Sequence, residues 1–300
     1  MTDFRSLEIF VWVARLRSFR GAAAKLNTTQ PAVSLRIAGL EESLGVRLLD
    51  RGKGAVNLTE PGRELMDYAE RLLRLRSDMI AAVSDRSRLR GTLRLGVPET
   101  IVHTWLPRFI ERMNAAYPRI VLEIEVDIST NLREGLLAQT IDLAFLVGPI
   151  SAPLIRNRVL RTEPIAFLAS PRLGLAGPAT LAEIASHPII TFARNTQPYV
   201  NLREILADPS LPPARVHAST SLATVVRMAL DGLGVALIPT SIVTREVADG
   251  RLVAIPGAPV LPALQFVAGW LASPDAGLVD PVVAMAVEVA QERPPVREPA

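Results

Sequence analysis

Hydrophobic spacing changes character near residue 90, and that change restricts the chain to two differently built parts. Before it, apolar residues recur every three or four positions in one segment after another, as in amphipathic helices. Beyond it, short apolar runs alternate with helical stretches, the rhythm of an α/β sheet domain. The 300 residues suit about two domains at a prior of roughly 150 residues each.

In the first part, Leu7, Phe10, Val11, Val13, Ala14 and Leu16 form the stripe of a helix that stops at Ser18. Ala22, Ala23, Ala24 and Leu26 make a second, short helix, closed by Asn27-Thr28-Thr29, which can also cap the helix that follows. Pro31 lies in the first turn of that third helix, where a missing N–H costs nothing, and Val33, Ile37 and Leu40 supply its apolar stripe. Two short helices joined by about three residues, the first rich in alanine so that the pair can cross closely, make the helix-turn-helix pattern, whose second helix enters a DNA major groove by its N-terminal end. Gln30 and Ser34 would then face base edges, where glutamine can bond adenine twice, and Arg36 could reach guanine or phosphate. The same spacing also fits a plain corner of a helical bundle, which carries a polar outer face for solubility alone.

Residues 48–59 read as a short hairpin with a Gly-Lys-Gly tip, a wing in which Arg51 and Lys53 supply charge and the glycines admit a close phosphate. An ordinary basic turn reads the same way. Thr59 and Pro61 then start a long helix through about Ser84, and Leu65, Tyr68, Leu72, Leu75 and Met79 follow the 3-4-3-4 spacing of a coiled-coil seam. That stripe serves either a dimer contact or packing on the chain's own head. Residues 1–90 hold 16 Lys plus Arg against 11 Asp plus Glu, whereas residues 91–300 hold 17 against 19. A basic head on a slightly acidic body is the asymmetry expected when one domain meets a polyanion, and equally a solvated basic surface.

In the second part, Leu93–Val97, Val121–Ile128 and Ile141–Leu146 read as strands separated by helices, one beginning near Thr104 and one capped by Ser129-Thr130-Asn131. The order predicts a mostly parallel sheet. Strands at Ile165–Ala169, Ile189–Phe192, Arg215–Ala218 and Val235–Ile238, with helices near 197–207 and 222–230, repeat the theme and imply a second lobe.

The stretch from Ser18 to Leu26, then Thr29-Gln30-Pro31-Ala32-Val33-Ser34, Ile37, Leu40-Glu41, Leu44-Gly45-Val46, Leu48-Leu49, Arg51 and Leu58 to Gly62 resembles the winged helix-turn-helix of LysR-type transcriptional regulators. Two positions depart from the family pattern. Leu49 stands where an aromatic is usual, and Leu35 stands where many members carry a polar or basic residue, which leaves the base preference open, a thymine methyl being the contact that leucine offers. The resemblance implies a winged helix-turn-helix at 1–58, a linker and dimerisation helix at 59–90, and an effector-binding domain at 91–300 with a two-lobed, periplasmic-binding-protein-like α/β fold. Its lobes would comprise 91–162 with 267–300, and 163–266. It further implies double-stranded DNA with an inverted-repeat operator, a small-molecule effector between the lobes, and a homodimer or homotetramer. The DNA-binding set is Arg20, Thr29, Gln30, Pro31, Ser34, Arg36, Arg51 and Lys53.

Ligands of parallel sheets bind beyond the carboxyl ends of strands, where helix N-termini offer free N–H groups. Those ends here give Thr100 and His103, Ser129 and Thr130, Phe192 to Thr196 with Arg194 inside it, and Ser219 to Ser221, which together suit an anion or carboxylate, with Phe192, Arg194, Thr196 and Ser219 as the members singled out in the last two stretches and His103 and Arg194 as the candidate cations. Taken singly, hydroxyls at helix starts are more often caps.

Other function classes fare poorly. Zero cysteines exclude disulfides, thiol catalysis and thiolate metal sites. No metal or cofactor is expected, and no nucleophile elbow, P-loop or metal cluster supports an enzyme. Gly232-Leu-Gly234 lacks the third glycine of a dinucleotide fingerprint. The longest near-apolar stretch, Leu261–Ala272, is too short for the ~18 residues of a membrane span, and Asp3, Arg5, Glu8 and Arg15 interrupt any secretory signal, so the expected location is cytoplasmic.

Overall fold

The computed structural model of the chain describes residues 3–51, 56–83, 91–152, 155–175, 177–272 and 279–292. They fall into two compact units, residues 1–86 with 272–281, and residues 87–271 with 282–300.

The first unit opens with α1 (Phe4–Leu16), α2 (Phe19–Lys25) and α3 (Gln30–Leu44). Each start is set by a side chain that accepts an otherwise orphaned backbone N–H: Asp3 takes that of Ser6, Ser18 that of Gly21 and Thr29 that of Ala32. Asn27, in the left-handed region at φ 48°, turns the chain between α2 and α3, and Gly45 closes α3 at φ 69°. Phe10, Trp12, Ala22, Val33, Ile37 and Leu40 are buried where the three helices cross. Each large apolar side chain of this kind stabilises the fold by roughly 1.5–3 kcal/mol relative to exposure.

The hairpin β1 (Leu49–Arg51) and β2 (Val56–Leu58) follows, antiparallel, with Leu49 opposite Leu58. It leads into α4 (Glu60–Val83), whose first turn is tied by the Thr59 hydroxyl, donating to the Arg47 carbonyl at 2.7 Å and accepting from the Gly62 N–H at 3.1 Å. A Cβ at Gly62 would lie 2.1 Å from the Leu48 carbonyl oxygen, so the hairpin can approach α4 this closely only at glycine.

The second unit holds two five-stranded sheets. The first lobe contains β3 (Gly91–Val97), α5 (Glu99–Val102), α6 (Leu106–Ala116), β4 (Ile120–Val126), α7 (Ser129–Leu137), β5 (Leu143–Val147) and β6 (Ile155–Glu163). The second contains β7 (Ile165–Ala169), α8 (Leu181–Ser186), β8 (Ile189–Phe192), α9 (Gln197–Ile205), β9 (Val216–Ser219), α10 (Leu222–Leu230), β10 (Val235–Pro239), α11 (Thr244–Ala248) and β11 (Val253–Ala254). The chain then returns to the first lobe through β12 (Leu264–Leu271) and ends in α12 (Val279–Gln291). The sheet orders are β4-β3-β5-β12-β6 and β11-β7-β10-β8-β9.

Three observations adjust the sequence expectations. Each sheet is parallel over three strands only; β12 runs antiparallel to β5 and β6, and β7 runs antiparallel to β10 and β11, because these are the strands that carry the chain between lobes or back along its own edge. The expected second crossing at 266/267 lies too late: Leu264, Gln265 and Phe266 already pair with Glu163, Thr162 and Arg161 in the first lobe. The first crossing falls at Pro164, between β6 and β7, rather than before Glu163. The last helix does pack with the first lobe, where Arg108 donates to the Val289 carbonyl at 2.9 Å and Arg161 to that of Ala290 at 3.3 Å, satisfying carbonyls at the helix end.

Gly232-Leu-Gly234 is the approach to β10. Gly232 turns at φ 73°, and a Cβ at Gly234 would meet the Pro188 carbonyl oxygen at 2.3 Å, so both glycines serve the sheet.

Candidate functional site

In the first unit the packing of α3 determines what it can present. Val33, Ile37 and Leu40 turn inward, leaving Gln30, Pro31, Leu35 and Arg36 exposed and Ser34 half-buried on the outer side. Arg20 is exposed on α2. Thr29 is first of all a cap, its hydroxyl accepting from the Ala32 N–H at 3.4 Å. Arg36 is exposed but held: its guanidinium donates to Asp3 at 3.0 Å. The Ser6 N–H, and after it the Arg36 charge, keep the Asp3 carboxyl below the usual aspartate range, so it is ionised at neutral pH. Arg51 ends β1, and Lys53 lies outside the described residues.

Helix α4 has two apolar faces with different fates. Ala69 and Leu73 are buried on the head, and Glu70 receives Arg15 at 2.8 Å. Tyr68, Leu72, Leu75 and Met79 are exposed, and Leu65 is half-buried. Thus the stripe picked out by heptad spacing is not the stripe that packs on the head, and it is left exposed.

In the second unit a cavity of about 600 Å³ opens between the two lobes. Thr100, Ser129, Thr130, Phe192 and Thr196, all expected from strand ends, line it. His103, Arg194 and Ser219 do not. His103 ends the four-residue α5 as its cap and is exposed, and Arg194 is exposed beyond β8. Ser219 closes a tight bend, accepting from the Ser221 N–H at 3.1 Å and donating to the Ser221 carbonyl, which leaves Thr220 and Ser221 on the wall.

Several wall hydroxyls already have work. Ser129 Oγ accepts from the Val147 N–H at 2.9 Å, fixing the start of α7 to the end of β5, and Thr196 Oγ1 donates to the Ala193 carbonyl at 2.6 Å. Among the described residues, hydrogen bonds join the lobes across the opening at two places. Glu99 accepts from the Leu222 N–H at the first turn of α10, and Thr130 Oγ1 donates to the Asn195 carbonyl at 3.3 Å. A carboxylate on a helix N-terminus is favoured by the helix dipole.

Glu99, Asp127 and Arg133 are cavity residues outside the strand-end set, whereas Asn195 lies within its Phe192 to Thr196 stretch. Asp127 is occupied locally, accepting from the Ile128 N–H at 2.7 Å and from Asn131 at 2.9 Å. Arg133 pairs with no carboxylate among the described residues. A usable signal existed: Arg133 is four residues after Ser129 and therefore on the same side of α7. The cavity's cation is thus Arg133, in place of His103 and Arg194. Among the described residues no group of histidines and carboxylates could hold a metal ion, and no helix is long and apolar enough to cross a membrane.

Comparison with known proteins agrees with this division. The family model for the bacterial regulatory helix-turn-helix protein of the lysR family matches residues 4–63, and that for the LysR substrate binding domain matches residues 86–291. The HTH-type transcriptional regulator GltR of Bacillus subtilis (strain 168) is 28% identical over 251 residues, covering 83% of this chain and 84% of its own. Among solved structures, ArgP from Mycobacterium tuberculosis superposes with a TM-score of 0.60 at 20% identity over 97% of this chain and 98% of its own. LysG from Corynebacterium glutamicum, solved with bound effector Arg, gives 0.58 at 20% identity over 96% and 99%. At those identities the superpositions speak for the fold. The family models span both units, and the chain belongs to the LysR family of transcriptional regulators, with a helix-turn-helix for DNA and a separate effector-binding domain.

Proposed function

We propose that this chain is a cytoplasmic, non-enzymatic regulator that binds an inverted-repeat operator as a homodimer or as a tetramer built from such dimers, and changes its footprint when a small anionic molecule occupies the cleft between the lobes. The observation that carries the reading is the recognition helix itself: α3 is capped, buried on one side and exposed on the other, with Gln30 and Ser34 in the N-terminal half that enters a major groove. Arg20, Arg51 and Lys53 supply phosphate contacts that position the head without reading sequence. Leu65, Tyr68, Leu72, Leu75 and Met79 form the seam between two copies of α4, which accounts for four large apolar side chains standing exposed on one helix. A two-fold seam presents two heads and asks for two half-sites of inverted sequence.

In the cleft, Arg133 binds the effector's carboxylate or comparable anion, while Thr100, Thr130, Thr220 and Ser221 orient the rest. Its volume of about 600 Å³ falls within the roughly 300–1,000 Å³ of small-molecule sites. Selection of genomic fragments on the purified full chain, followed by titration of the enriched duplex, tests the assignment. An enriched inverted repeat is expected, and recovery no better than random DNA would remove it.

A further inference from the structure

We propose that Leu35 selects a thymine in each operator half-site by packing on its C5 methyl group, an inference that rests on the DNA-reading assignment above. Helix α3 turns about 100° per residue. With Val33, Ile37 and Leu40 at 0–1% exposure on the inner side, the opposite arc runs through Pro31, Leu35, Ala38 and Glu42. Leu35 is 76% exposed at the centre of that arc, and its exposed neighbours Pro31 and Ala38 give it no hydrogen-bonding company. A leucine held in water adds nothing to the head's own core.

Polar groups flank this arc instead of leading it. Ser34 is half-buried on one side. On the other, Arg36 is drawn to Asp3, which is itself fixed as the cap of α1 by the Ser6 N–H at 2.7 Å. The part of α3 that stands furthest from the core is therefore apolar over its first two turns.

Base edges in the major groove present hydrogen-bond donors and acceptors, and thymine alone adds an apolar C5 methyl, where cytosine has only a C5 hydrogen. Set against adenine or guanine, Leu35 would strip water from a donor or acceptor and return no hydrogen bond, and against cytosine it would find no methyl to pack on, so thymine is the base it favours. Set against thymine, it buries methyl against methyl. Leu35 lies in the sixth position of α3, within the half that enters the groove.

The test uses the full chain and the operator duplex it enriches, with thymines replaced one at a time by deoxyuridine, which removes the methyl and leaves the rest of the edge. The wild type is expected to lose about fourfold in affinity at one thymine per half-site, the factor for one buried methyl-sized group. Leu35→Ala is expected to bind the thymine and uracil duplexes equally at that position, to keep any losses seen elsewhere, and to show an unchanged salt slope. Leu35→Gln is expected to move the preferred base there toward adenine. A wild type indifferent to every thymine methyl, or a Leu35→Ala protein that keeps the same loss at the same position, overturns the inference while leaving the DNA-reading assignment intact. A chain that enriches no fragment overturns both.

Discussion

The DNA-facing head and the ligand cleft are built in opposite ways. The head's reading surface comes from one continuous stretch, α2, α3 and the hairpin, whose helix starts are set by caps three residues away, with Arg36 tied back to Asp3 of α1. The cleft is assembled from segments far apart in the chain, with Glu99 meeting Leu222 and Thr130 meeting Asn195 across two lobes. A surface made of local contacts should read DNA whatever the lobes do. A cavity made of distant contacts changes shape whenever the lobes move, which is the property a switch requires.

Salt should separate the two most strongly. Six phosphate contacts from two heads, three each from Arg20, Arg51 and Lys53, imply an operator affinity that falls about 10³-fold between roughly 50 and 200 mM salt. Effector binding at the single cation Arg133 should fall only a few-fold over the same range, and equal slopes in parallel titrations would erase the distinction. Next comes the seam. Leu72→Glu places a charge at the centre of the exposed stripe and should convert the dimer to monomer by light scattering, lowering operator affinity on the order of 100-fold, the lower end of what linking two modules provides. An unaltered mass would assign the exposed stripe of α4 to another contact.

Gln30→Ala should cost about 1–3 kcal/mol of operator binding in a gel-shift titration and leave effector binding unchanged. Glu99→Ala should do the converse. Removing a charge-assisted hydrogen bond between the lobes should lower the melting stability of the body by about 1.5–3 kcal/mol and alter effector affinity, with operator binding in the absence of effector within about twofold. A Glu99→Ala protein whose operator affinity collapsed would contradict the independence of the head. The smallest effect belongs to Asp3. Its folded pKa is depressed, so the stability it adds is fully present above the ordinary aspartate value of about 3.9 and is lost as pH falls through the lower folded value. Asp3→Asn should therefore narrow the melting difference between pH 6 and pH 3, and an identical pH dependence would show the cap and the Arg36 pair to be silent.

What was legible in the sequence follows the same contrast. The cap at Thr29, the turn at Asn27, Pro31 in the first turn and the heptad stripe of α4 are readable because their partners lie within four residues or on one helix, whereas the Ala69 and Leu73 face shows only once α4 lies on the head. Most of the wall hydroxyls were likewise found from strand ends, a rule of position. The missed features depend on partners elsewhere in the chain. β6, Ile155-Arg-Asn-Arg-Val-Leu-Arg-Thr-Glu163, carries arginines on an edge strand and shows no apolar run, and its identity comes from β12, about a hundred residues on. The second crossing, implied near residue 266 by the resemblance, is fixed before Leu264 only by that pairing. His103 and Arg194 carry the right chemistry beside the right strands, yet a four-residue helix and a loop turn them to solvent, whereas Arg133 reaches the cavity by being one turn below Ser129.

The most direct measurement is a footprint of the full chain on its enriched operator. Two protected half-sites of inverted sequence are expected, centred about one helical turn or a multiple of it apart, with a protection pattern that changes when an anionic ligand binds and does not change in Arg133→Ala. A single protected half-site without symmetry, or a pattern that responds identically in Arg133→Ala, would contradict that expectation.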